Sequence, residues 1–455
     1  MKFAHEFQAA LIREGFPPHW VNSAVPYGQL KKIIKKVTIE LRDLGLDSST
    51  LSQLVSEADP NSPSEIGENG VAFQYDFDGD KTLFQPKLTL LLRDGLAVDA
   101  TLSPDTREFL QKLVSQQRPE HLNSANEERL IPVMTNESLA ISSLDGSSRD
   151  SGQLVQRVEI PLTFDAEFFT RLQAEVATLD TLQAGEQTAL TEQIVSLSKD
   201  ITSLTKPSRF NKTDLYRWRE LFEIYLQAMV FFSTHEKDRG TRDSSTAAKQ
   251  LQWFQAEVVK RNIVESFKLP ASRQALDKFI KINVTLLRSI KFQEINQTAI
   301  SKILKKFDKR TQLGAKRKFP KLIQSSSAMS QTIAKAVCSQ LTEDLVRKVP
   351  QLDDNLCPIC FTIAWRPVRM KCEHVLCISC AVTLQRKRER KCPLCRDDVI
   401  MKADADNIDP ELERYLEKYF PKEAREKRIA VETERGKELF GHAYKHPSEQ
   451  KCSLM

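Results

Sequence analysis

The sequence predicts a mainly α-helical protein that closes in a small zinc-built module. Apolar residues recur at helical spacing through residues 1–46 and 163–312, and eight Cys and His residues crowd into 357–395. Between the helical stretches lie strand-like islands set in Ser-, Asn-, Asp- and Pro-rich sequence. The expected order is a helical bundle over 1–46 and 163–312, interrupted by a partly β, partly disordered segment at 47–162. A linker helix (313–350), the zinc module (351–400) and a helical extension with a tail (401–455) follow.

Residues 2–13 place Phe3, Phe7 and Leu11 on one helical face, and Gly15 with Pro17-Pro18 ends that helix. A second helix over 27–46 carries Leu30, Ile33, Ile34, Val37 and Leu41 as its apolar stripe; Tyr27, Lys31 and Lys35 line its other face. V-A-F-Q-Y-D-F (71–77) reads as a strand pairing with K-L-T-L-L-L-R (87–93), and 154–162 as a further strand. Residues 117–153 have the composition of a disordered segment. Helical spacing returns in one long helix over 165–203, then over 212–232, 248–266, 271–291 and 296–309. A helix over 328–348 aligns Ile333, Val337, Leu341 and Leu345, with Cys338 beside the stripe as a buried small residue. A catalytic thiol at Cys338 is the sharper alternative, but no His or basic setting accompanies it.

Composition excludes several classes. Residues 1–20 lack the layout of a signal peptide, and apolar runs such as 229–232 are far too short to span a bilayer. Seven of the nine cysteines lie in the zinc module, an allocation expected of a reduced intracellular protein rather than a disulfide-built one. A net charge of +6 on 455 residues matters only where it is clustered, and it is clustered at 302–318. There Lys302, Lys305, Lys306 and Lys309 share a helix face, while Leu304 and Phe307 turn to the core. Composition leaves a nuclear-localisation or nucleic-acid patch, a phosphate site and a solvated face open. The missing helix-turn-helix and aromatic platform weigh against nucleic acid.

The zinc module reads C-P-I-C (357–360), C-E-H (372–374), C-I-S-C (377–380) and C-P-L-C (392–395). Eight ligands in the order three Cys, one His, four Cys make two closed tetrahedral sites, structural because every position is filled. With His fourth, the stretch resembles the RING finger. That resemblance implies a cross-brace: Cys357, Cys360, Cys377 and Cys380 on one zinc ion; Cys372, His374, Cys392 and Cys395 on the other. It also implies docking of a ubiquitin-conjugating enzyme on Ile359 and Pro393, with Arg396 as the basic linchpin that steadies the ubiquitin thioester. One departure is R-K-R-E-R-K (386–391), where many RING fingers carry a Trp; the change bears on which conjugating enzyme docks, or how well.

The N-terminal M-K-F, then Y-G-Q-L-K-K, then K-I-L-K-K-F-D-K closing the bundle resemble the SPX domain, over about 1–46 and 163–312. The resemblance implies a helical domain binding inositol polyphosphates and pyrophosphates as a report on phosphate supply. Tyr27, Lys31 and Lys306 would form the phosphate cluster, with Lys2 nearby and Lys302, Lys305 and Lys309 as the companion surface. Lysines are compact point charges, and a Tyr hydroxyl adds a directed donor.

The two resemblances together imply an SPX–RING ubiquitin ligase. It would orient a charged conjugating enzyme toward substrate lysines without a covalent intermediate of its own, with phosphate transporters among the implied substrates. The other class is a non-enzymatic phosphate-signalling adaptor whose RING only docks. Localisation is expected to be cytoplasmic, with nuclear or membrane-associated fractions open. The final C-S-L-M places Cys452 in a farnesylation pattern, which stands open against a plain tail; a single lipid would give reversible membrane contact.

Overall fold

The computed structural model describes residues 2–46, 71–80, 83–93, 155–207, 213–233, 240–316 and 335–449, with positions 48, 51, 108, 112 and 319. The expectations for 117–153, Ile333 and Cys452 lie outside these residues. In chain order, α1 (Lys2–Arg13), α2 (Pro18–Asn22) and α3 (Tyr27–Asp43) precede β1 (Val71–Asp80), β2 (Leu83–Arg93) and β3 (Val155–Ile160). Then come α4 (Phe164–Thr205), α5 (Leu215–Ala228), the short pair β4 (Phe232–Ser233) and β5 (Gly240–Thr241), α6 (Ser244–Lys260), α7 (Ile263–Ser266) and α8 (Pro270–Thr311). After α9 (335–341) the zinc module supplies β6 (Pro367–Arg369), β7 (Val375–Cys377) and α10 (Ile378–Arg386). Helices α11 (Pro410–Tyr419) and α12 (Pro421–Phe440) complete the order.

The mainly helical expectation holds, with joints that differ. The helices expected at 271–291 and 296–309 are one continuous α8, since K-F-Q-E-I-N holds no breaker. Its polar Asn296 is buried and satisfied: Oδ1 accepts from the Val25 amide (3.0 Å) and Nδ2 donates to the Phe292 carbonyl (2.9 Å). The helix expected over 248–266 is broken instead. Asn262 takes a left-handed φ of 51°, which separates α6 from α7. The chain forms two compact units, 1–186 with 288–333 and 187–287 with 334–455.

In the first unit α3 buries Leu30, Ile33, Ile34, Val37 and Leu41 against Phe7 and Leu11 of α1, Phe168 and Phe169 of α4, and Phe307 of α8. Burying each such side chain contributes roughly 1.5–3 kcal/mol. Strands β1, β2 and β3 form an antiparallel sheet in that order, with Val71 opposite Leu92 and Leu88 opposite Ile160. Phe73, Tyr75, Leu88 and Ile160 of this sheet belong to the same buried cluster as α3. The strands of the interrupting segment are thus part of the helical unit's core. The Tyr75 hydroxyl donates to Asp165 Oδ2 (2.9 Å), tying sheet to α4. Glu40 accepts from the Thr163 and Phe164 amides (2.7 and 3.0 Å), capping α4 from α3.

In the second unit the helical part packs Trp218, Phe222 and Tyr225 of α5 with Phe254 and Phe279. Asp214 accepts from the Lys268 and Leu269 amides and the Ser272 hydroxyl, at 2.8, 3.0 and 2.6 Å, and so caps α8. Val337, Leu341 and Leu345 are buried, as their alignment requires, while Cys338, expected to be buried, is half-buried at the edge of that stripe; desolvation pushes its thiol up to about 12. A raised pKa disfavours the reactive thiolate and weighs against the catalytic reading of Cys338.

The zinc module's core of Val368, Leu376, Ala381 and Ile400 continues into Leu416 and Phe420 of the extension. Arg369 donates to Asp409 Oδ2 through Nε (3.0 Å) and Nη2 (2.7 Å), while Asp409 Oδ1 caps α11. Beyond α12 the tail folds back. The Tyr444 ring lies on Gly436, where a Cβ would stand 2.2 Å from it, and His446 Nε2 lies 2.8 Å from Glu432 Oε2.

Candidate functional site

Two zinc knuckles are built alike. In the first, the Phe361 amide donates to the Cys357 carbonyl (2.9 Å) and the Cys357 amide to the Thr362 carbonyl (2.7 Å), with Phe361 at φ 53°. In the second, Arg396 donates to Cys392 and Cys392 to Asp397 (both 2.8 Å), with Arg396 at φ 67°. The left-handed residue turns the chain sharply enough for both sulphurs of C-x-x-C to face one point.

The sulphurs of Cys357, Cys360, Cys377 and Cys380 lie within 4.8 Å of one another, as do the ligand atoms of Cys372, His374, Cys392 and Cys395. Cys360 and Cys377 are 3.8 Å apart, close to the edge of a tetrahedron with zinc–sulphur bonds of about 2.3 Å. His374 Nδ1 is buried without a hydrogen-bond partner among the described residues, as suits a nitrogen whose lone pair serves a metal. Four crowded thiols also share charge unevenly. A hydrogen bond with Cys377 draws Cys357 down to about 4, while Cys377 is pushed far up and burial raises Cys380 to about 12. A divalent cation resolves that competition at the first site, and the clustering of the ligand atoms fits zinc at both.

Around these sites Ile359 (36% exposed) and Leu394 (52%) leave apolar surface open, and Pro393 and Arg396 are exposed beside Leu394. The 386–391 segment sits at the end of α10 and just beyond it. There Arg386 reaches Glu438 (3.4 Å) and Arg390 reaches Asp398 (3.4 Å).

The lysine face lies in the first unit. Tyr27 opens α3 and is largely buried, which raises its hydroxyl pKa. Phe3 stands edge-on to Tyr27 at 4.9 Å, and Lys302 Nζ lies 4.0 Å over the Phe3 ring. The Lys306 ammonium is held below its ordinary value, first by burial and then by Lys31, Arg310 and Lys309. Lys31 and Lys306, far apart in sequence, are thus close enough to repel. Lys302, Lys305 and Lys309 are exposed, and no described carboxylate pairs with any of these lysines. Lys2 lies in α1. Phe3, expected only as packing, also forms the floor under Lys302; its place in M-K-F beside the basic helix was the available signal.

Fold and site define a class, the RING-type ubiquitin ligase with a helical N-terminal domain. Residues 1–323 match the SPX domain model and 353–401 match the zinc finger, C3HC4 type (RING finger). The chain belongs to the SPX family. It is 33% identical to an uncharacterised RING finger protein of Schizosaccharomyces pombe over 94% of both chains. It is 30% identical to the "transcriptional regulator of yeast form adherence 3" of Candida albicans over the whole of both. Over 48 residues, 10% of this chain and 20% of the other, it is 44% identical to human E3 ubiquitin-protein ligase RNF138. No solved structure matches.

Proposed function

We propose that this RING-type ligase is governed, or brought to its substrates, by an inositol polyphosphate or pyrophosphate bound on the lysine face. The carrying observation is Lys306, its ammonium depressed by burial and by Lys31, Arg310 and Lys309 with no described carboxylate in compensation. Such a cluster is costly until an anion neutralises it, and a multiply phosphorylated ring brings several negative charges at once. Tyr27, Lys31 and Lys306 bind in this reading, Lys302, Lys305 and Lys309 extend the contact, and Lys2 adds to it from α1. Zinc holds the docking loops in shape and performs no Lewis-acid step. Ile359 and Pro393 receive the conjugating enzyme. Arg396, fixed in the left-handed turn of the second knuckle, steadies its thioester for attack by a substrate lysine. Phosphate homeostasis is the proposed setting, with phosphate transporters as substrates and a cytoplasmic location; a farnesyl group on Cys452 would add membrane contact.

The test is ubiquitin-chain formation by the purified protein with a panel of conjugating enzymes, with and without inositol hexakisphosphate or a pyrophosphate analogue. Chains that respond to ligand in the wild type but not in Lys31→Ala/Lys306→Ala support the reading, and Arg396→Ala should lower the rate about a hundredfold. Ligand binding without chains from any conjugating enzyme would favour the adaptor, for which the charged 386–391 segment speaks.

A further inference from the structure

Helix α12 brings a cation to the first zinc site. Lys427 Nζ lies 3.6 Å from Cys360 Sγ, with Lys427 half-buried. Around a divalent zinc ion four thiolates leave a net charge of −2, whereas the three-Cys, one-His set leaves −1. The more negative set is the one that a lysine meets.

That lysine is not a free surface side chain. One turn earlier Glu423 Oε2 accepts from the Tyr216 hydroxyl of α5 (3.0 Å), and the Lys422 amide donates to the same hydroxyl (3.4 Å). Phe420, fully buried, lies 4.1 Å under the Arg219 guanidinium, which also donates to the Tyr419 carbonyl (3.2 Å). The start of α12 is thus pinned to α5, and Lys427, four residues after Glu423, follows on the same helix face.

We propose that Lys427 is a positioning residue for the first zinc loop. Its ammonium donates to the Cys360 thiolate, offsets the charge of the four-sulphur site, and so holds in place the loop on which Ile359 stands between two ligands. The part concerning conjugating-enzyme docking rests on the ligase reading above; the part concerning the metal site does not. An outer-shell partner that holds a ligand in place and offsets the charge of its site slows the loss of the metal.

The experiment uses full-length protein loaded with cobalt(II), whose visible absorption distinguishes a four-sulphur site from a three-sulphur, one-nitrogen site. Excess chelator is added, and metal loss from each site is timed in wild type, Lys427→Met, Lys427→Arg and, as a control on the same helix, Lys437→Met. Lys427→Met should lose the four-sulphur metal about tenfold faster, the effect typical of an outer-shell partner. Lys427→Arg should stay near wild type, the second site should be unchanged, and Lys437→Met should be silent. In chain formation Lys427→Met should raise the KM for the conjugating enzyme and leave kcat alone. Equal metal loss in all four proteins overturns the proposal. So does equal acceleration at both sites, which is general loosening, or an Arg variant as fast as the Met variant. If the metal rates follow expectation while the wild type builds no chains, the ligase reading fails and the metal role stands.

Discussion

Asp165 is an acid placed where acids seldom are. It is buried at the start of α4, and burial raises its pKa to about 7, with the Tyr75 hydrogen bond pulling the other way. An acid whose folded value exceeds its unfolded value, here about 3.8, holds its proton more tightly when folded. Its contribution to stability is full below about 3.8 and is lost as pH rises through about 7. Asp165→Asn keeps an acceptor for Tyr75 and cannot ionise. Urea midpoints of the variant should therefore fall less between pH 4 and 8 than those of the wild type. Parallel profiles would place the pH dependence elsewhere. None of this was legible in the sequence, where D-A-E-F-F reads only as an acidic first turn. The zinc ligands were legible in full, because coordination demands local spacing: knuckles of four residues are visible without a fold. Lys427 was not, since it meets Cys360 across 67 positions of chain and only the packing of α12 brings them together.

At the scale of elements, helix stripes were legible and joints were not. The stripe of α3 names its buried residues one by one, because a helix against a core repeats its environment every turn. The stretch 291–296 holds no breaker, so α8 runs on through it; what the sequence does not state is that Asn296 there accepts from the distant Val25 amide and is buried. The strands 71–77 and 87–93 were readable as a pair, but their burial with α3 was not, as the surrounding polar sequence suggests an appendage. The joint with most consequence is Arg219 of α5. It donates to the Pro350 carbonyl ahead of the zinc module (2.7 Å) and to Tyr419 behind it (3.2 Å), gathering both approaches to the module on one side chain. Arg219→Met keeps the stem and removes the donors. It should cost the second unit roughly 1.5–3 kcal/mol, since two half-buried carbonyls lose a charged partner. Amide exchange at 419–424 should quicken accordingly; unchanged exchange there would mean that Phe420 alone holds the junction.

For the whole molecule, the two units draw on different sources of stability. The first closes around Phe168, Phe169 and Phe307, and none of its described residues is among the eight zinc ligands. The zinc module in the second has a small apolar core, and small cores need a metal to hold them. Chelation of both ions should abolish amide protection at β6, β7 and α10 while the amides of α3 stay protected. Loss of protection in both regions together would show that the metal supports far more than its own module. A multiply charged ligand should act in the opposite place, slowing exchange in α3 and at the end of α8, less so as salt rises.

The tail's return over α12 turns on a single hydrogen atom. A Cβ at position 436 would meet the Tyr444 ring, and the same returning tail brings His446 to Glu432. A fluorophore or spin label carried at position 445 or 447, which leaves His446 intact, would report the Glu432 turn, in the middle of α12, as a free chain end would not.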